Sequence, residues 1–362
     1  MTVIGGTLAR YFGMQCLRSM LTVFGGMIVL IAVVDYVEMM RRLSDIPQAT
    51  ALLVFKTSIF RVPQVAERLL PFCVLIGAMW AFLNLSRRLE FVIARSAGMS
   101  AWQFIMPGVI VAFIIGVIGT TIYNPISASL QETSRKLEDD LFRHASTETS
   151  TAYWGRQRTD EGLSIINAKS SRDQGAELSG VTIFTFDLQG QFRERIEAAT
   201  ATLGDGTWRL TNAKTFPLNG LPTENASLAL RTSLTREQVR ESFSTPETVP
   251  FWELPQYIKV AELSDLAAAS YRLQFQKLLA QPFLLASMVL LAAAVSLRFF
   301  RFGGVQNMIL GGVVAGFLLY VLSKVTDDMS TAELLSPFGA AWLQVTYGGL
   351  IGVVVLLYQE DG

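Results

Sequence analysis

The residue types that carry out acid–base, nucleophilic or metal chemistry are scarce in this sequence. The chain of 362 residues contains one histidine, His144, and two cysteines, Cys16 and Cys73, which both lie in apolar stretches. A histidine metal cage, a Ser-His-Asp triad or a cysteine–zinc site needs more of these residues. The sequence has no GxxxxGK[ST] phosphate loop, the pattern of a common type of ATP-hydrolysing site. We therefore expect no catalytic residue, cofactor or metal site.

Two arginines at the end of the first apolar segment have the chemistry to bind phosphate. Glu38 precedes Arg41 and Arg42 by three and four residues, a helical spacing at which the carboxylate can pair with either guanidinium. Guanidinium groups match phosphate oxygens bidentately, and a span end lies at headgroup depth. The alternative is that these charges only snorkel from a helix end towards water.

A second polar cluster lies at residues 86–100, between two apolar segments. We predict a short helix there, ended by Gly98, with Ser100 capping the next helix. A helix of this kind across the mouth of a bundle suits docking to a separate ATPase. The alternative is a polar loop that only obeys the positive-inside rule. The residues expected to share one helical face are Arg87, Glu90, Phe91, Ala94 and Arg95, with Arg88 beside them.

The charge distribution predicts a membrane part and a water-soluble part. The 30 basic and 30 acidic residues cancel, which argues against a nucleic-acid binder. Residues 132–277 nevertheless hold 37 of these 60 charges, whereas the whole chain is 51% hydrophobic. The apolar runs outside this block are long enough for six spanning helices, and those of spans two to six are charge-free. The predicted spans are residues 15–40, 69–86, 96–131, 278–297, 302–323 and 334–359.

The charged block has the pattern of an all-β domain, because short strand-type runs alternate with turn signals. We expect a sandwich or jelly roll, with a helical flank at residues 129–143 that extends the third span. The predicted strands are residues 152–157, 163–168, 181–187, 191–198, 207–213 and 227–233. The predicted divisions are residues 1–131 (spans 1–3), 132–264 (β domain with helical flanks) and 265–362 (spans 4–6).

Six spans place both termini on one side of the membrane and the β domain on the other. The tight loops on the side of the termini are rich in arginine, and arginines close to span ends weigh most in the positive-inside rule. We therefore place the termini in the cytoplasm. This topology assigns Lys56, Arg61 and Arg68 to loops on the opposite side.

The pattern Glu90-x3-Ala94-Arg95-x2-Gly98-x-Ser100 resembles the coupling segment of the LptF/LptG (YjgP/YjgQ) family of lipopolysaccharide export permeases. The resemblance covers nearly the whole chain, including the order of spans and β domain. Residues 206–210 (GTWRL) and 251–255 (FWELP) look more like the G-type subunit. Other matching positions are residues 10–12 (RYF), Pro71 and residues 316–320 (GFLLY).

The resemblance implies an α-helical membrane protein of the Gram-negative inner membrane, with six spans and a periplasmic β-jelly-roll domain. It implies a non-catalytic permease subunit of an ABC-type exporter, which extracts lipopolysaccharide from the outer leaflet and passes it to a periplasmic bridge. The implied partners are an F-type paralogous permease, a dimeric cytoplasmic ATPase, periplasmic bridge proteins with a matching jelly roll, and lipopolysaccharide itself.

The resemblance also assigns roles to residues outside the coupling segment. Spans one and five form lateral gates for the glycolipid, so Gly316, Phe317 and Tyr320 are expected near the lipid path. Arg41 and Arg42, with Glu38 beside them, match a basic pair that contacts the glycolipid phosphates. Asp35 occupies a position that is basic in the family.

Other functions are compatible with parts of this pattern. A secondary transporter would carry buried ionisable residues at mid-membrane, whereas the predicted spans two to six have charge-free interiors. A membrane enzyme or a non-transporting scaffold with a periplasmic β domain are further alternatives. Asp327, Asp328 and Glu333 are interpreted as a solvated loop, His144 as a surface residue and Cys73 as a packing residue.

Overall fold

The computed structural model divides into two units, a helical unit and an inserted unit. The helical unit comprises Met1–Leu137, Pro250–Trp252 and Arg272–Gly362, and the inserted unit comprises Glu138–Val249 and Glu253–Tyr271. The structure describes residues 2–43, 50–96, 98–145, 153–159, 162–172, 177–187, 189–204, 206–218, 220–232, 246–263, 268–302 and 305–360.

Six helices in the described part of the chain are long and apolar enough to cross a membrane, which confirms the predicted number of spans. A π-helical turn, Gly119–Tyr123, joins α4 to α5 and makes them one continuous third span. The helices are α1 (Thr2–Arg42), α2 (Ala51–Arg87), α3 (Glu90–Ser96), α4 (Ala101–Ile118), α5 (Asn124–Ala145), α6 (Leu254–Leu263), α7 (Ala268–Phe302), α8 (Val305–Thr331) and α9 (Pro337–Glu360).

The second span begins much earlier than the sequence predicted. Helix α2 starts at Ala51 rather than at residue 69, so Lys56, Arg61 and Arg68 lie on this helix and not in loops. Its 37 residues are about 56 Å long at about 1.5 Å per residue, whereas a hydrocarbon core is only about 30 Å thick. The helix therefore has room for a charged stretch beyond the hydrocarbon.

The acidic residues near the end of α8 were also misassigned. The helix continues to Thr331, so Asp327 and Asp328 are helical rather than part of a solvated loop. Lys277 on α7 donates to Asp327 Oδ2 at 2.8 Å, and Lys324 donates to Asp328 Oδ1 at 3.1 Å. Each carboxylate therefore has a cationic partner on a helix.

Glycines bring the helices of the bundle into close contact. A Cβ placed on Gly77 of α2 would lie 2.6 Å from Met20 Cα of α1, and a Cβ on Gly116 of α4 would overlap Pro282 of α7. Beside these contacts, Phe12, Phe82 and Phe104 are buried in one continuous core. Small residues therefore set the helix spacing, as is typical of membrane bundles.

The inserted unit contains an antiparallel sheet, which confirms the predicted all-β insertion. Its described strands pair in sequence order, so they form a meander without the crossed connections of a jelly roll. Gln157 Oε1 on the first strand accepts a hydrogen bond from Thr232 Oγ1, just after the last strand, at 2.6 Å, so the sheet curls over Trp208. The strands are β1 (Tyr153–Thr159), β2 (Gly162–Arg172), β3 (Glu177–Phe186), β4 (Phe192–Gly204), β5 (Thr207–Pro217) and β6 (Thr223–Arg231).

Candidate functional site

The predicted coupling segment forms a separate short helix, α3, between the second and third spans. Leu89 has a positive φ of 58° and separates α2 from α3. Arg87 therefore ends α2, and the prediction that it shares a helix with Glu90 was wrong. The end of the segment is confirmed: Gly98 has a φ of 83°, a conformation that favours glycine. Ser100 is the N-cap of α4, and its backbone N–H donates to Gln103 Oε1 at 3.3 Å.

One face of α3 is fixed to the helical bundle by an aromatic side chain. Phe91 is only 6% exposed, and its ring stacks on Phe104 of α4 with 4.5 Å between centroids. The ring centroids of Phe12 on α1 and Phe82 on α2 both lie 6.2 Å from that of Phe91. Ala94, one turn further along α3, is buried on the same side. These contacts hold α3 against three other helices.

The exposed residues of α3, together with those of the link before it, combine arginines with apolar side chains. Leu89, Val92 and Ile93 are each more than half exposed. Arg87, Arg88 and Arg95 are exposed beside them. Prediction from the sequence missed the apolar members, although positions 89, 92 and 93 have the i, i+3, i+4 spacing of a helical face. We call these six residues the α3 outer face.

Glu90 connects α3 to the first span. The hydroxyl of Tyr11 on α1 donates to Glu90 Oε1 at 3.2 Å. The neighbouring Phe12 belongs to the ring cluster around Phe91, so two consecutive residues of α1 contact α3. In the sequence, Tyr11 stands out only as part of the family-like residues 10–12. No local pattern links it to a residue 79 positions away.

The predicted pairing at the other end of α1 is confirmed. Glu38 Oε2 lies 2.9 Å from Arg41 Nη2, and Glu38 Oε1 lies 2.8 Å from Arg42 Nε. The arginine side chains are 77% and 55% exposed, so both present surface to the surroundings while they contact the carboxylate. The site is therefore an accessible pair of guanidinium groups beside the Glu38 carboxylate.

Asp35 is directed at α2 and not at this arginine pair. Its Oδ2 accepts a hydrogen bond from Ser58 Oγ at 2.7 Å, and its Oδ1 lies 3.6 Å from Arg61 Nε. The prediction that Arg61 belongs to a loop hid this interaction. The acidic residue on α1 thus faces a basic residue on α2, in a position largely shielded from water.

The predicted gate residues on α8 lie on different sides of this helix. Gly316 is buried against Leu75 and Phe72 of α2, whereas Phe317 is 60% exposed. Tyr320 is 53% exposed, and its ring lies 6.0 Å from the ring of Phe72. Gly316 therefore supports packing within the chain, and Phe317 and Tyr320 present their rings outward.

The helices α1 and α8 are the least covered of the six spans in the described residues. Only 6% of the most apolar stretch of α1 and 22% of that of α8 are buried, against 33–67% for the other four. Both helices therefore leave large apolar surfaces for lipid or for another chain.

Metal-ligating residues do not cluster in the described parts of either unit. Over those residues, no group of three or more His, Cys, Asp or Glu side chains is placed to hold an ion. Cys73 is buried in the bundle, as its apolar surroundings predicted. The side chain of His144 lies outside the described residues.

Comparison with known proteins agrees with this architecture. The model of the family "Lipopolysaccharide export system permease LptF/LptG" matches residues 10–358. The lipopolysaccharide export system permease protein LptG of Haemophilus influenzae is 25% identical over 345 residues, which cover 90% of each chain. LptG of Escherichia coli K12 is 21% identical over 367 residues, which cover 98% of this chain and 99% of the relative. The chain therefore belongs to the LptF/LptG family of lipopolysaccharide export permeases.

Proposed function

We propose that this chain is the G-type permease subunit of an ABC-type exporter that removes lipopolysaccharide from the outer leaflet of the inner membrane. Family membership supports a lipopolysaccharide export permease, and both relatives described above are LptG proteins. In this proposal the termini are cytoplasmic, and residues 132–264 form a periplasmic domain that passes the glycolipid to bridge proteins. ATP hydrolysis takes place in a separate dimeric ATPase.

The observation that carries the proposal is the two-sided structure of α3. Phe91 and Ala94 fix one side in the bundle, while the α3 outer face remains exposed at the end of the bundle. Apolar side chains surrounded by arginines are typical of a surface that docks on another protein. Leu89, Val92 and Ile93 supply the apolar contact, and the arginines supply charge for orientation.

The glycolipid path is proposed along α1 and α8. These are the spans with the largest uncovered surfaces, and the F-type paralogue would complete the cavity beside them. Phe317 and Tyr320 would contact acyl chains through their exposed rings. Arg41 and Arg42 would bind the phosphate groups, because their guanidinium groups are exposed at one end of α1.

The bridge contact is proposed at an edge of the sheet in the inserted unit. β6 is the last strand in the described order, and most of its residues are exposed. An open strand edge can accept a strand from another protein by β-augmentation. Bridge proteins with a matching β fold would continue the path in this way.

The described charges argue against a secondary transporter. Arg61, Glu67 and Asp327 lie on spanning helices, but their partners are within the chain. The stretch of α2 from Arg61 to Arg87 is about 39 Å long, so Arg61 lies beyond a core about 30 Å thick when Arg87 marks the other membrane surface. Such paired charges near one end do not provide an ion relay at mid-membrane.

The test is co-purification of the ATPase with the permease pair from membranes. Replacing Ile93 with Asp places a charge in the centre of the α3 outer face, so we expect at least a tenfold loss of bound ATPase. Leu221→Asp is the matched control, because Leu221 is 85% exposed in the inserted unit, and ATPase binding should persist.

Two results would contradict the proposal. Full ATPase binding by the Ile93→Asp variant would show that α3 is not the docking surface. Isolation of the wild-type permease pair without any ATPase would contradict the assignment to an ABC-type exporter. It would favour a scaffold or a secondary transporter.

A further inference from the structure

Tyr11 and Glu90 form a side-chain link between α1 and α3. The two residues are 79 positions apart, and the Tyr11 hydroxyl donates to Glu90 Oε1 at 3.2 Å. The Tyr11 ring packs edge-on against Phe12, with 5.8 Å between centroids. Phe12 in turn is 2% exposed and contacts the Phe91 ring. The α1–α3 link thus has a buried aromatic part and a polar part at the surface.

The backbone separates α3 from the helices on both sides. Leu89, just before the helix, and Gly98, two residues after its end, both have positive φ values, 58° and 83°. The helical hydrogen bonding of α2 and α4 therefore does not extend through α3. Side-chain contacts therefore give α3 a second connection to the neighbouring helices, beside the short covalent links, through the ring cluster around Phe91 and the Tyr11–Glu90 hydrogen bond.

The hydrogen bond is not needed to hold the fold together. Tyr11 is 44% exposed, and polar interactions at an exposed surface contribute little to stability. The buried rings of Phe12, Phe91 and Phe104 already attach α3 to the bundle. The polar contact instead joins two defined atoms, one on α1 and one on α3.

We propose that Tyr11 is a positioning residue that transmits displacement of α3 directly to α1. This inference rests on the proposed function, in which the ATPase moves α3 and α1 forms part of the glycolipid path. The transmission passes from Glu90 to Tyr11 without passing through α2, although α2 precedes α3 in the chain. It assigns a role in coupling to a residue outside the α3 outer face and outside the residues proposed to contact the glycolipid.

The test separates coupling from folding. In the reconstituted complex with its ATPase, Tyr11→Phe removes only the hydroxyl and keeps the ring against Phe12. We expect unchanged ATPase binding, an unchanged melting temperature, and at least a threefold decrease in lipopolysaccharide released per ATP hydrolysed. Tyr347→Phe is the control, because Tyr347 is 51% exposed on α9, and its ratio should equal that of the wild type.

The possible failures are distinguishable. An unchanged ratio in the Tyr11→Phe complex would overturn the role of Tyr11, and so would a loss of transport that parallels a lower melting temperature. Absence of the ATPase from the wild-type complex would instead refute the proposed function.

Discussion

Asp35 on α1 and Arg61 on α2 form an ion pair between the two helices, with 3.6 Å between Asp35 Oδ1 and Arg61 Nε. Ser58 donates to the other carboxylate oxygen at 2.7 Å. The side chains of Asp35 and Arg61 are 14% and 30% exposed, so water screens the pair only partly. The two acidic residues of α1 thus differ in their partners: Asp35 contacts α2, whereas Glu38 contacts arginines of its own helix.

Replacing Asp35 with Ala should destabilise the contact between α1 and α2. The substitution removes the acceptor of the Ser58 hydroxyl and leaves the Arg61 guanidinium without this carboxylate. Loss of a partner to a shielded charged group costs about 1–3 kcal/mol. We expect a lower melting temperature in detergent, measured by fluorescence or by thermal aggregation.

Asp328→Ala is the matched control for this variant. Asp328 also pairs with a cation, Lys324, but both side chains are about two-thirds exposed. Exposed pairs contribute about 0–1 kcal/mol, so the melting temperature should hardly change. If the Asp35→Ala and Asp328→Ala variants have the same melting temperature, the Asp35–Arg61 pair has no stabilising role.

Replacing Phe91 with Ala should detach α3 from the bundle. The side chain is 6% exposed and stacks on Phe104, and truncation of a buried phenylalanine costs about 3–5 kcal/mol. We expect a lower melting temperature together with weaker ATPase binding, because the α3 outer face loses its support. Differential scanning calorimetry and co-purification measure the two effects.

Val92→Ala separates the two faces of α3. Val92 is 52% exposed, so its truncation leaves no buried cavity. The melting temperature should remain that of the wild type, whereas ATPase binding should decrease several-fold. A stability loss equal to that of Phe91→Ala would mean that Val92 is part of the core and not of a docking surface.

The membrane architecture was predictable because lipid imposes a simple rule on sequence. A mostly apolar run long enough to cross the hydrocarbon is almost always a helix, and all six spans were found on this basis. The ends of the helices are harder to predict, because charged residues occur both in loops and within long helices. Arg61 and Asp327 lie within helices, and each has a partner on a neighbouring helix, which only the fold reveals.

At the candidate coupling site, too, features set by neighbouring residues were predictable, whereas contacts between distant residues were not. Gly98 and Ser100 end and begin helices through local preferences, so both were predicted correctly. The break at Leu89 was missed, because leucine has no preference for positive φ. The contact between Tyr11 and Glu90 depends on how α1 packs beside α3, and no pattern in either segment specifies it.

Replacing Gly77 with Ala should weaken the packing of α1 against α2. The added Cβ would lie 2.6 Å from Met20 Cα, so the backbones have to separate. Overpacking of this kind costs about 1–3 kcal/mol. We expect a lower melting temperature, and impaired transport if the proposed movement of α1 depends on this contact.

Gly25→Ala on α1 is the opposite case and the control for this prediction. Apart from the adjoining backbone of α1 itself, no described atom lies within 4 Å of a Cβ at Gly25, and alanine favours a helix by about 0.5–1 kcal/mol over glycine. The Gly25→Ala chain alone should therefore be as stable as the wild type or slightly more stable. If Gly25→Ala lowers transport at unchanged stability, the uncovered surface of α1 contacts a partner there, because an added methyl group then disturbs a contact that the isolated chain does not make.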